Sequence, residues 1–258
     1  MSTATLGTVT HAQGKQLYPI SAKQLTQFRE EGYLITEPAF DSKTLADAIK
    51  EFTRLQKAAI ADAEKTGDAK HIALAKLRPF IGEAHKQSDL LKEFVKAPAY
   101  LEACRVLLGP DCDLYYNQAV IKPPERGLSF GWHQDNGYGT VIPMEYLTCW
   151  TAVGRSYIEN GCIWIIPGSH KRGLLKHVKN ELSTDAVVDD ETGAIPVELE
   201  PGQIVIFNSL LLHKSGPNIS KGYRYAYVPQ YHVAHVVDGE GKPTGDRFPV
   251  LRNAARVG

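Results

Sequence analysis

Apolar positions along the chain follow two periods. Up to about residue 110 they recur at helical spacing. Leu45, Ile49, Phe52, Leu55 and Ala59 mark one face of a long helix that Ser42 is placed to cap and Gly67 to end. Upstream, Ser21 with Gln24 has the spacing of a capping box, predicting a short helix through Phe28 that stops near Gly32. Tyr33 to Thr36 then reads as a strand. A third helix is expected from Pro98 through Tyr100, Leu101, Cys104, Leu107 and Leu108, closed by Gly109-Pro110. The stretch 67–90 shows no clear period, and its Lys76, Arg78 and His85 read as solvated charges.

From Leu114 the period changes. Short runs rich in Val, Ile, Tyr and Trp alternate with Gly, Pro and Asn, predicting strands near 114–122, 130–135, 146–153, 162–166, 195–199, 203–207 and 223–232. Strands after a helical prefix predict a mainly β protein, a jelly-roll (double-stranded β-helix, cupin-like) core flanked by helices. The expected organisation is one domain, with a helical prefix over 1–113, the core over 114–235, and a loop-like tail over 236–258.

Composition narrows the function class. The 29 basic residues equal the 29 acidic ones, so no global field favours nucleic acid or an anionic membrane. No apolar run reaches the ~18 residues a membrane helix needs. Residues 1–20 are polar and read as a leader rather than a signal peptide. Cys104, Cys112, Cys149 and Cys162 lack metal-binding spacing and read as reduced thiols. Together these predict a cytoplasmic protein acting on a small molecule.

Candidate chemistry centres on His133-Gln134-Asp135. On an extended backbone, residues two apart point to the same side, so the imidazole and carboxylate can share a metal. With one further ligand they would form the two-histidine, one-carboxylate site of non-haem Fe(II) oxygenases. His213 is the best third candidate, because it ends the apolar run Ile204 to Leu212, where a polar ring needs a hydrogen bond or a metal. Taken alone, it is more simply a core histidine bonded to a carbonyl. Arg224 lies eleven residues further on, in an alternating strand. An inward guanidinium requires an anion, and its fork matches a carboxylate such as the far end of a dicarboxylic co-substrate. Ser215 could add a hydroxyl donor. Without the neighbouring ligands, Arg224 would read as a surface charge and Ser215 as a turn residue.

These motifs, in this order, resemble the phytanoyl-CoA dioxygenase family of Fe(II)- and 2-oxoglutarate-dependent oxygenases. They are Lys122-Pro123-Pro124, His133-Gln134-Asp135, Cys149-Trp150-Thr151-Ala152, Asn160-Gly161-Cys162 leading to Pro167-Gly168-Ser169-His170, and His213 to Asn218 with Arg224. The resemblance covers roughly 115–232. It implies His133, Asp135 and His213 as iron ligands, with Arg224 and Ser215 holding the far carboxylate of 2-oxoglutarate. It further implies that Gln118 and Trp150 line the co-substrate. Lys76, aligned across a gap, would match a lysine that contacts it. His170 is implied to be structural.

The implied reaction consumes O2 and 2-oxoglutarate, releases succinate and CO2, and hydroxylates an unactivated C–H bond of a small metabolite or acyl derivative. The intact Asp135 points to hydroxylation, since related halogenases carry Ala or Gly there. Tyr138, Tyr146 and Tyr231 are candidate pocket walls, and His232 and His235 candidate substrate contacts. Two other readings use the same residues: a catalytically inactive cupin-like metal- or metabolite-binding protein, and a zinc hydrolase. The second leaves the Arg224–Ser215 pair unexplained.

Overall fold

The computed structural model describes residues 18–77, 80–124, 129–139, 141–179, 184–243 and 248–258. Most of the expected leader, residues 1–17, and Arg78 lie outside the described residues. Tyr18 and Ile20 pack against the core rather than trailing from it.

The prefix is helical, as its periodicity requires. α1 (Ala22–Glu31) opens on the Ser21–Gln24 capping box and closes at Gly32 with φ +83°. β1 (Tyr33–Ile35) follows. α2 (Ser42–Thr66) buries Leu45, Ala48, Phe52 and Leu55, and Gly67 ends it in the left-handed conformation. Its cap is Asp41 rather than Ser42. The Asp41 carboxylate accepts from the Thr44 amide over 2.7 Å, which places Ser42 inside the first turn. The unplaced stretch forms α3 (Ala69–Leu77) and β2 (Phe80–Gly82). α4 (Asp89–Phe94) and α5 (Pro98–Leu107) complete the prefix, α5 starting on its proline.

The strands follow in order: β3 (Cys112–Lys122), β4 (Phe130–His133), β5 (Val141–Ile142), β6 (Leu147–Ala152), β7 (Ile163–Ile165), β8 (His177–Lys179), β9 (Thr184–Ala186), β10 (Ile195–Val197) and β11 (Ile204–Asn208). After these come β12 (His213–Ser215), β13 (Arg224–Val233), β14 (Val237–Asp238), β15 (Phe248–Arg252) and β16 (Ala255–Arg256). One antiparallel sheet runs β1-β11-β6-β13-β3-β15-β16, with β2 also on β3, and a smaller one runs β10-β7-β12-β4. The two sheets and the flanking helices make the jelly-roll architecture that the strand pattern predicts.

β11 is the strand expected near 203–207, and the apolar run to Leu212 continues beyond it. β11 ends at Asn208, the chain turns over Ser209 to Leu211, and His213 opens β12 in the other sheet. One expectation changes: the tail is not a loop. β15 pairs with β3 and buries Val250 and Leu251 completely.

Alternation explains why both faces of the large sheet are apolar. On β13, Tyr227 and Tyr231 join the helix-side core, while Arg224, Val228 and Gln230 face the smaller sheet. On β3, Ala119 and Ile121 face the helices, and Gln118, Val120 and Lys122 face inward. The inward side chains of both sheets enclose the site.

Candidate active site

Between the sheets lies a cavity of about 590 Å³. The large sheet contributes Gln118, Lys122, Thr148, Trp150, Arg224 and Gln230, and the small sheet contributes His133, His213 and Ser215.

His133 and His213 are register partners on β4 and β12, so the sheet itself sets their rings side by side, centroids 4.1 Å apart. β4 ends at His133, one residue pair short of the expected strand. Gln134 keeps an extended backbone (φ −113°, ψ 141°), so Asp135, the first residue of a single helical turn, still falls on the same side. One ligand-type atom from each of the three residues lies within 4.8 Å of the others. The Nδ1 of His133 lies 2.8 Å from the Gly131 carbonyl, and that of His213 lies 2.9 Å from the Leu211 carbonyl. A carbonyl only accepts, so each Nδ1 carries the proton and each Nε2 presents a bare lone pair. Burial, with His213 alongside, holds the His133 ring well below the usual imidazole range, so it stays neutral. The His213 Nε2 faces Asp135 Oδ1 at 3.6 Å. Two acceptors opposed at that distance repel unless a proton or a cation stands between them. The donor set of two imidazoles and a carboxylate suits Fe(II).

The intervening Gln134 was not legible as a functional residue. It is fully buried, its amide donating to the Gly173 and Leu210 carbonyls (2.8 and 2.6 Å) and accepting from the Leu175 amide (2.8 Å). Its own N–H donates to His177 Nε2 over 3.1 Å. The motif is thereby held from behind while its two outer side chains point into the cavity.

The other end of the cavity is cationic. Arg224 is 1% exposed, and its Nε and Nη1 have no hydrogen-bond partner. Its guanidinium carbon lies 5.1 Å from the Trp150 ring centre. Lys122 is 5% exposed and donates to Ser215 Oγ over 2.9 Å and to the Gly216 carbonyl. Burial and the neighbouring Arg224 push the Lys122 amine down to about 6, and burial lowers Arg224 to about 10. The nearby Cys162 thiol, pushed up to about 11 chiefly by burial, offers no counter-charge. A buried guanidinium beside a buried amine that can take up a proton, with no carboxylate partner among the described residues, forms an anion site.

Of the remaining candidates, Gln118, Trp150, Tyr138 and Tyr146 line the cavity. Lys76 does not. It sits exposed on α3, paired with Glu64 at 2.8 Å, because the helix carries it outside the sheets. The lysine inside the cavity is Lys122, the first residue of the Lys-Pro-Pro motif, to which the sequence alone assigns no role. Its parity with Gln118 and Val120 on β3 was the available signal. His170 packs on the Gly32 turn, and Tyr231 donates to the Val95 carbonyl on the helix side. His232 is buried beside Tyr115 and His235 is exposed, and neither is among the cavity-lining residues.

A jelly roll with two histidines and a carboxylate facing an unsatisfied arginine across one cavity defines the class of 2-oxoglutarate-dependent non-haem iron oxygenases. The family model described as phytanoyl-CoA dioxygenase matches residues 28–226, and the chain belongs to that family. A probable phytanoyl-CoA dioxygenase of Caenorhabditis elegans is 28% identical over 82% of this chain and 75% of its own. The apo structure of the non-haem monooxygenase ThoJ is 26% identical, with TM-score 0.73 over 88% of this chain and 82% of its own. EvdO2 of Micromonospora carbonacea var. aurantiaca, solved with 2-oxoglutarate, is 22% identical, with TM-score 0.68 over 89% of this chain and 96% of its own. The chain is an iron dioxygenase that uses Fe(II), 2-oxoglutarate and O2. No helix among the described residues is long and apolar enough to cross a membrane.

Proposed function

We propose that this enzyme hydroxylates an unactivated C–H bond of a small organic metabolite or acyl derivative. In this reading His133, Asp135 and His213 hold the iron, and Arg224, Ser215 and Lys122 receive the far carboxylate of 2-oxoglutarate. The observation that carries it is the pairing within one cavity of two bare imidazole nitrogens and a carboxylate with a buried, half-unsatisfied guanidinium. When bound, the metal with 2-oxoglutarate and O2 supplies the oxidising power, with release of succinate and CO2.

The protein's residues do the positioning. Arg224 gives a planar fork to a carboxylate, Trp150 supports the fork from one face, and Lys122 and Ser215 add donors beside it. Gln118 stands on the same face of β3 as Lys122 and borders the bound dicarboxylate. Six residues along β13, roughly 20 Å at strand rise, Gln230 marks the opposite end. There the wall includes Thr148, Tyr115, Tyr116 and Tyr146. Among the described residues this end presents hydrogen-bonding groups and ring faces, which suit a small polar metabolite.

The test adds Fe(II) without oxygen, then 2-oxoglutarate, and follows the visible metal-to-ligand charge-transfer band in wild type and Arg224→Ala. A band that weakens in the variant is expected, followed by succinate release with the right metabolite. Bound iron without a band would overturn the oxygenase reading in favour of a metal-binding protein without turnover.

A further inference from the structure

Asp135 stands on the small-sheet side of the cavity, at the turn after β4, yet its carboxylate is held from the large sheet. Thr148 Oγ1 on β6 donates to Asp135 Oδ2. Gln230 Nε2 on β13 donates to that same threonine oxygen over 3.2 Å. Only one polarity is possible. An amide N–H has no lone pair to give, so Thr148 accepts from Gln230 and spends its single proton on the carboxylate. Thr148 and Gln230 are also register partners, so the main-chain ladder between β6 and β13 fixes where the relay begins. Both side chains are buried, at 1% and 7% exposure, so bulk water does not compete. The other oxygen, Oδ1, is the one that faces His213 Nε2.

We propose that Thr148, backed by Gln230, is a positioning residue that occupies Oδ2 and leaves Oδ1 as the single metal-binding atom of Asp135. The inference rests on Asp135 being an iron ligand, as proposed above. A carboxylate with both oxygens free can turn to bind a metal through two atoms. That would take up a coordination position the co-substrate or oxygen requires. By donating to Oδ2 the threonine prevents the turn. It also ties the two sheets together across the site, so the ligand geometry depends on how β6 and β13 pair.

The experiment titrates apo-protein with Fe(II) anaerobically against a chromophoric chelator, then adds 2-oxoglutarate, in wild type, Thr148→Val, Thr148→Ser and Gln230→Leu. Thermal unfolding of each apo form is recorded alongside. Thr148→Val keeps the shape and loses the hydroxyl, so Fe(II) binding is expected to weaken about 10–100-fold. Its charge-transfer band should move while apo stability changes little. Thr148→Ser should restore binding to within about threefold, and Gln230→Leu should cost about 2–10-fold. Wild-type affinity and an unmoved band in folded Thr148→Val overturn the proposal, as does a serine variant that fails to rescue. If Thr148→Val does not fold, Gln230→Leu decides, and wild-type behaviour there overturns it. Failure of the underlying reading looks different: Asp135→Ala would bind Fe(II) and 2-oxoglutarate as wild type does.

Discussion

The Arg224 guanidinium lies against the Trp150 ring, 5.1 Å from its centre, with two of its nitrogens unpartnered inside the protein. The ring face offsets part of the cost of burying the charge but supplies no hydrogen-bond acceptor in the guanidinium plane. The remainder is recovered when a carboxylate arrives. Arg224→Met is therefore expected to lower 2-oxoglutarate affinity at least about 30-fold, the equivalent of roughly 2 kcal/mol of charge-assisted hydrogen bonding. Calorimetric titration of Fe(II)-loaded protein checks this, and apo stability should be unchanged or raised.

Lys122 makes that affinity pH-dependent. With its amine pushed down to about 6 by burial and Arg224, the free protein holds it mostly neutral at pH 7–8. A dicarboxylate beside it favours the charged form, so binding takes up a proton. Affinity should fall as pH rises above 6, by up to about tenfold per unit, and the slope should vanish in Lys122→Met. Stability moves the other way. The folded amine lies below its ordinary value of 10.5, so between pH 6 and 10.5 the unfolded chain binds more protons. The Lys122 contribution to apo stability thus rises with pH across that window and is lost as pH falls through it. Urea unfolding at several pH values reads both.

Asp135→Ala removes the only carboxylate of the triad. The expected outcome is loss of 2-oxoglutarate turnover with little loss of apo stability, since the Nδ1 atoms of His133 and His213 keep their carbonyl partners without the carboxylate. Succinate release measured on Fe(II)-loaded protein tests it. Retained hydroxylation would overturn the ligand assignment.

Gly161→Ala should destabilise the anion end. Gly161 has φ +80°, and a Cβ there would sit 2.5 Å from the Gly216 carbonyl oxygen, the atom that accepts from Lys122. A left-handed alanine pressed on backbone costs about 1–3 kcal/mol. Denaturant melts should show that loss, together with weaker 2-oxoglutarate binding.

Leu251→Ala probes the tail. Leu251 is fully buried on β15 against the helix-side core, so truncation should cost about 2–5 kcal/mol. A tail that were only a loop would lose almost nothing.

The sequence alone determined what depends on neighbours in the chain. Capping at Ser21, the glycine stops at Gly32 and Gly67, and the alternation of β3 and β13 are local, and they appear in the structure. So does the pairing of His133 with Asp135, because an extended backbone through Gln134 brings every second side chain to one side. Ordered motifs likewise carried the family. Tertiary structure decided what depends on which strands lie side by side. His213 reaches His133 only because the chain leaves β11 and enters the other sheet. Lys122 rather than Lys76 enters the cavity because β3 crosses it and α3 does not. β15 becomes a strand because the edge of β3 is available to it. Thr148 and Gln230 meet at Asp135 from separate strands, and a separation of 82 positions between the first two is invisible to any local pattern. Side-chain direction follows from backbone period, whereas partnership follows from sheet order, which is set by burying the apolar faces of the whole chain at once.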